Sequence, residues 1–120
     1  MKRLLAIMLL LSLVVMATYA TAVSLEGSFS SGTSLTKNTP NKQGDITYYK
    51  KCWAQTKGYS GNHYVRAYIG GSNSSPNGAI ADTQRQYSQG DIYRECQASK
   101  KGKDGQSPPT FPTGYAKYGT

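Results

Sequence analysis

The stretch His63-Tyr64-Val65-Arg66-Ala67-Tyr68-Ile69 decides how this chain is read. Val65, Ala67 and Ile69 alternate with Tyr64, Arg66 and Tyr68. Successive side chains on a strand point to opposite faces. A period of two therefore predicts a strand with an aliphatic face on a core and an aromatic, basic face turned outward. Similar signals lie on both sides of it. Upstream, Asp45–Lys57 carries Ile46, Thr47, Tyr48, Tyr49, Cys52 and Trp53, residues that suit a pleated surface. Gly58-Tyr59-Ser60-Gly61-Asn62 reads as the intervening turn. Downstream, 70–78 has no apolar residue and reads as a loop, and 79–87 reads as a strand or a short helix. Ser88-Gln89-Gly90 turns the chain into a strand over 91–99, and Tyr115-Ala116-Lys117-Tyr118 closes the sheet. No i, i+3, i+4 apolar stripe of ten residues occurs after residue 22. The expected fold is all-β: a small antiparallel β-sandwich or barrel of about 5–7 short strands, preceded by a cleaved signal helix.

Residues 1–22 read as an address. Lys2 and Arg3 precede an apolar run over 4–17 broken only by Ser12, and Ala20-Thr21-Ala22 gives the small–any–small pattern of a signal-peptidase site. The run is shorter than the ~20 residues a membrane-spanning helix needs. Cleavage is expected after Ala22, which makes 23–120 the mature, exported chain, with a net charge of 12 − 6 = +6. Only ten of its residues are Leu, Ile, Val or Phe, below the ~20% expected of an ordinary globular domain, so a large enzyme core is excluded. Within it, 23–44 reads as a flexible N-terminal arm that supplies at most one edge strand. The β domain proper is 45–120, with an irregular basic and Pro/Gly-rich loop at 100–113.

Export governs the reading of Cys52 and Cys96. In an oxidising compartment an even pair becomes a disulfide, closing here a loop of about 45 residues and contributing roughly 4 kcal/mol in the chain-entropy account. His63 is the one further soft ligand, so a zinc site would be short of donors, and no metal or cofactor is expected. The cysteines also sit in an internal echo. Tyr49-Lys50-Lys51-Cys52-Trp53-Ala54 resembles Tyr93-Arg94-Glu95-Cys96-Gln97-Ala98, and each copy follows a Gly-Asp-Ile. Period two puts Cys and Ala of both copies on one face, so the two strands are expected as sheet neighbours or as facing strands.

Catalytic constellations are sparse. The mature chain has six acids, and Asp45 and Asp91 each follow a glycine and read as strand-entry residues. Asp82 or Glu95 would have to supply a glycosidase pair, which nothing in the spacing demands. His63 borders a Gly-Asn turn and reads as an exposed edge-strand histidine. There is no Gly-x-Ser-x-Gly elbow, and Gly70-Gly71-Ser72 lacks the strand-to-helix setting of a phosphate loop.

The aromatic residues are more informative. Tyrosine packs through its ring and keeps a wet polar tip, which suits a contact surface. If the faces away from the cysteines coincide, Tyr49, Trp53, Tyr64, Arg66, Tyr68 and Tyr93 form one exposed aromatic and basic platform. Rings stack on sugars or bases, and arginine or lysine meets anions. The competing expectation buries the same tyrosines as substitutes for missing aliphatic side chains. An exported basic protein meets an anionic envelope polymer, a membrane surface or a glycan, not intracellular nucleic acid. Signal segment, basic Tyr/Gly/Ser-rich domain and absence of a catalytic motif together resemble, in composition and size, the small secreted β-sandwich bacteriocins of Gram-positive bacteria. That resemblance implies a non-catalytic, monomeric antagonist acting at a neighbouring cell envelope. The alternative expectation is a small secreted hydrolase or hydrolase inhibitor.

Overall fold

The computed structural model describes residues 27–120; the signal segment and its cleavage after Ala22 lie outside the described residues. Those residues form seven strands and no helix: β1 Ser28–Lys37, β2 Asp45–Lys57, β3 His63–Ser72, β4 Ser75–Asp82, β5 Gln86–Ser88, β6 Ile92–Lys103 and β7 Gly114–Gly119. They make two antiparallel sheets. Sheet A has the order β1-β2-β6, and in sheet B the central β3 pairs with β7 on one side and with β4 and β5 on the other. β2 has the bounds read from the sequence, whereas β3 and β6 run on past theirs, to Ser72 and Lys103. The stretch read as a flexible arm supplies β1, which pairs with β2 over its whole length. Segment 79–87 contains no helix, because it is divided between β4 and β5.

The alternation in β3 has the expected register. Val65, Ala67 and Ile69 are sealed, and they meet Cys52, Ala54, Ile92, Cys96 and Ala98 of sheet A in one core cluster. These are small side chains, which is how so few large aliphatics suffice: the two sheets close on alanine and cysteine. The expected edge histidine is corrected. His63 is 2% exposed, because it falls on the inward parity of β3. Its Nδ1 lies 2.9 Å from the Gly61 carbonyl, which can only accept, so Nδ1 carries the proton. In the neutral ring Nε2 then accepts from the Thr56 hydroxyl of β2 at 2.9 Å, joining the two sheets through buried polar groups.

Cys52 and Cys96 stand directly opposite each other on β2 and β6, so the echo segments are sheet neighbours. The expected bridge is corrected: both cysteines are buried free thiols. Twelve consecutive residue pairs already fix β2 against β6 without a covalent staple. The neighbouring Cys96 brings Cys52 down to about 7, and Cys52 together with burial pushes Cys96 up.

The segment read as a loop at 70–78 is instead the tip of a hairpin. β3 runs on to Ser72 and β4 starts at Ser75, with register shifts between Ile69 and Gly70 and between Gly70 and Ser72. Gly70 and Gly71 have φ of 91° and 73°, a region that costs any side chain, so the glycine pair makes these bulges accessible. The other irregular segment is 104–113, since β6 takes the chain to Lys103. It covers the part of sheet A beyond sheet B. Lys50 and Lys100 donate to the Pro112 and Thr110 carbonyls, both at 2.6 Å, and Pro109 packs near Gly102 beside the Tyr48 ring.

Candidate functional site

The six residues expected to form one platform do not share a face. Tyr64, Arg66 and Tyr68 point outward from sheet B, whereas Tyr49, Trp53 and Tyr93 point outward from sheet A, on the opposite side of the molecule. Period two fixed which face of each strand looks out but carried no information on which sheet a strand joins.

On sheet B, Tyr68 is a further correction. It has the outward parity, yet it is 1% exposed. The bulged hairpin folds back over its ring, its hydroxyl donates to the Ser72 carbonyl at 2.6 Å, and Tyr115 of β7 flanks it at 5.3 Å. Burial raises the Tyr68 hydroxyl above the ordinary tyrosine value. Tyr68 thus forms the floor of a cleft of about 370 Å³, with Tyr64, Arg66, Asn73, Arg85 and Lys117 in its walls.

Three cations converge there. Arg66 and Lys117 occupy directly opposed positions on β3 and β7. Like charges so placed repel, because facing side chains in a sheet start only ~5 Å apart. Arg85 is delivered by a break in the sheet. After Asp82, Thr83 both donates to the Ala67 carbonyl and, through Oγ1, accepts the Ala67 amide, mimicking the ladder. Gln84 then takes φ of 60° and its amide caps Asp82 Oδ1. The next residue, Arg85, lies over the Tyr64 ring with 4.6 Å from guanidinium carbon to ring centroid. Among the described residues a single carboxylate answers these charges. Asp82 takes Arg66 in a two-point pair at 2.9 and 2.5 Å. The guanidinium holds the Asp82 carboxyl below its usual range, and Asp82 in turn raises Arg66. Lys117 rests on the neutral Asn73 side chain at 2.6 Å. With Arg66 neutralised, the cleft keeps the charge of Arg85 and Lys117.

On sheet A, Trp53 stands opposite Gly32 of β1 and Glu95 of β6, and Tyr93 stands opposite Gln55. The Tyr93 hydroxyl donates to Glu95 Oε2 at 2.9 Å, which raises the hydroxyl's pKa. Tyr49, four residue pairs along from Trp53, stands opposite Ser99. Asn73, Arg85 and Lys117 escaped the sequence reading. Lys117 lay in a recognised strand, but only its pairing with β3 brings it to Arg66.

Two further acids are occupied. Asp45 pairs with Lys103, and Asp91 accepts the Gly58 amide at 2.9 Å. Among the described residues no three His, Cys, Asp or Glu side chains come together. Comparison with family models, curated proteins and solved structures returns no match.

Proposed function

We propose that this chain is an exported, non-catalytic binding protein that holds an anionic cell-envelope polymer or acidic glycan through the cleft on sheet B. The observation that carries this reading is the opposition of Arg66 and Lys117 beside Arg85, with Asp82 as the sole carboxylate in the group. Asp82 offsets Arg66 alone, and the charge of Arg85 and Lys117 is left to attract an anion. The Tyr64 ring, packed under Arg85, holds that guanidinium at the cleft. The engagement of Asp82, Glu95, Asp45 and Asp91 in structural contacts favours binding over a carboxylate-driven hydrolysis. Antagonism towards a neighbouring cell, as the bacteriocin resemblance implies, is one use of such attachment.

The test is binding of the 23–120 chain to polyphosphate and to purified cell wall across a salt series. Arg85→Ala with Lys117→Ala should weaken binding at least ten-fold and flatten its salt dependence, since that slope falls with every phosphate a cation no longer neutralises. Wild-type binding that ignores both salt and this double variant would refute the assignment.

A further inference from the structure

We infer that the outer face of sheet A is a second, separate binding site whose ligand is an uncharged polysaccharide. The inference stands on that face alone and does not depend on the cationic cleft.

The face is a regular three-strand surface. β1 pairs with β2, and β2 with β6, with no register shift in either ladder. At its centre the Trp53 indole lies on Gly32. A Cβ on that glycine would come within 2.8 Å of Nε1 and 2.9 Å of Cε2, so any other residue there would lift the ring. Glycine inside a strand weakens it and marks a place where something approaches the backbone closely. Here the approaching group is a ring laid across β1. Tyr93 continues it on the β6 side, with ring centroids 5.9 Å apart and planes inclined by only 27°. Tyr93 is 45% exposed, and its hydroxyl is tethered to Glu95, which restricts the ring before any ligand arrives. The result is a fixed aromatic strip across three strands.

What surrounds the strip selects the ligand. The outward positions of β1 next to Gly32 are Ser30 and Ser34, and Gln55 and Gln97 flank the rings on β2 and β6. The charges next to the Trp53 ring are Lys51 and Glu95, one of each sign; Lys57 and Lys101 stand further out at opposite ends of the face, Lys103 is paired with Asp45, and Arg94 turns back onto the Tyr93 carbonyl. A single-stranded nucleic acid needs cations that follow its phosphates along the rings, whereas Lys57 and Lys101 lie at the two ends of the strip. A lipid surface needs aliphatic side chains, which are missing beside the strip. Flat rings bordered by amides and hydroxyls fit the C–H face of a pyranose and its equatorial hydroxyls. At the centre of the strip Lys51 and Glu95 offset each other, so the rings and not a field of one sign meet the ligand.

The experiment is pull-down of the 23–120 chain on insoluble cellulose, chitin and xylan, with polyphosphate as the anionic arm. The wild type is expected to bind at least one of the three, with affinity unchanged between low and high salt. Trp53→Ala should lose about ten-fold, as removal of a stacking ring does, and Tyr93→Ser should lose less. Both should keep polyphosphate binding. Trp53→Tyr keeps a ring and should restore most of the affinity, which separates loss of stacking from loss of fold. Gly32→Ala, which lifts the indole, should weaken polysaccharide binding and leave polyphosphate binding intact. No wild-type binding to any of the three, or binding indifferent to Trp53→Ala, overturns the inference. Loss on Arg85→Ala with Lys117→Ala would instead assign the polysaccharide to the cleft.

Discussion

Sheet A is regular and sheet B is broken, and the difference accounts for the two kinds of surface on this molecule. In sheet A, β2 and β6 pair through twelve residues without interruption, and the outer face is a flat array of rings and amides. In sheet B, the partner strand on one side of β3 is split at 83–85, and β3 is bulged at Gly70 and Gly71. Those two defects make the cleft: the split delivers Arg85, and the bulges fold the hairpin over Tyr68. An unbroken ladder builds a platform and an interrupted one builds a pocket, as expected if bulges serve to re-aim side chains.

The comparison can be broken most severely at the shared core. Ile69→Ala removes a sealed side chain that touches both sheets and should cost about 2–5 kcal/mol. In a denaturant titration both sheets should be lost in one transition; separate transitions would mean that they fold independently. A smaller effect is expected where the sheets are joined by polar groups. Thr56→Val leaves His63 Nε2 buried without its donor and should cost about 1–3 kcal/mol, whereas Thr56→Ser should recover most of the loss.

Next comes a change confined to sheet B. Gly71 has φ of 73°, and a Cβ there would lie 2.7 Å from the Ser75 carbonyl. Gly71→Ala should cost about 1–2 kcal/mol, uncover Tyr68 and weaken polyphosphate binding while leaving the sheet A face unchanged. Tyrosine quenching by iodide, measured beside binding, checks this. The smallest effect concerns pH. Asp82 is held below its ordinary 3.8 in the folded chain, chiefly by Arg66. Its contribution is therefore full above 3.8 and is lost as pH falls through the lower folded value. At 22% side-chain exposure it should amount to about 1 kcal/mol. Asp82→Asn should flatten the acid limb of the stability curve by that amount. Asp45→Asn, on an exposed pair with Lys103, should leave the midpoint where it was.

The same contrast explains what was legible in the sequence. Period-two signals run through His63–Ile69 and Asp45–Lys57, and the outward and inward sets of β2 and β3 follow from them. The Cys–x–Ala echo put the cysteines and alanines of β2 and β6 on one face and left open whether the strands are sheet neighbours or face each other; the ladder makes them neighbours. Sheet B departs from periodicity at the places that matter. Gly-Gly-Ser-Asn looks like a loop because its glycines announce positive φ, not that the pairing resumes beyond a bulge. Tyr68 has the parity of an exposed residue and is covered only by a hairpin folding back in three dimensions. The sheet to which a strand belongs is set by non-local pairing, so the platform expected from six residues was two half-platforms on opposite sides.

The segment 104–113 has a consequence for how the molecule opens. Pro108, Pro109 and Pro112 carry no amide proton, so this stretch cannot be knitted into a ladder as β7 is. It is held instead by the Lys50 and Lys100 ammonium groups, bonded to its carbonyls, by Phe111 packed on the core and beside Lys100, and at its end by the Gly70 amide on the Thr113 carbonyl. With few ladder bonds of its own it is expected to open before the sheets do, and its release exposes the far half of β2 and β6. In hydrogen exchange, amides of β3 should report global unfolding. Those of β2 and β6 near Tyr48 should exchange by a cheaper, salt-sensitive opening, which makes this end of the chain the first point of entry for a protease.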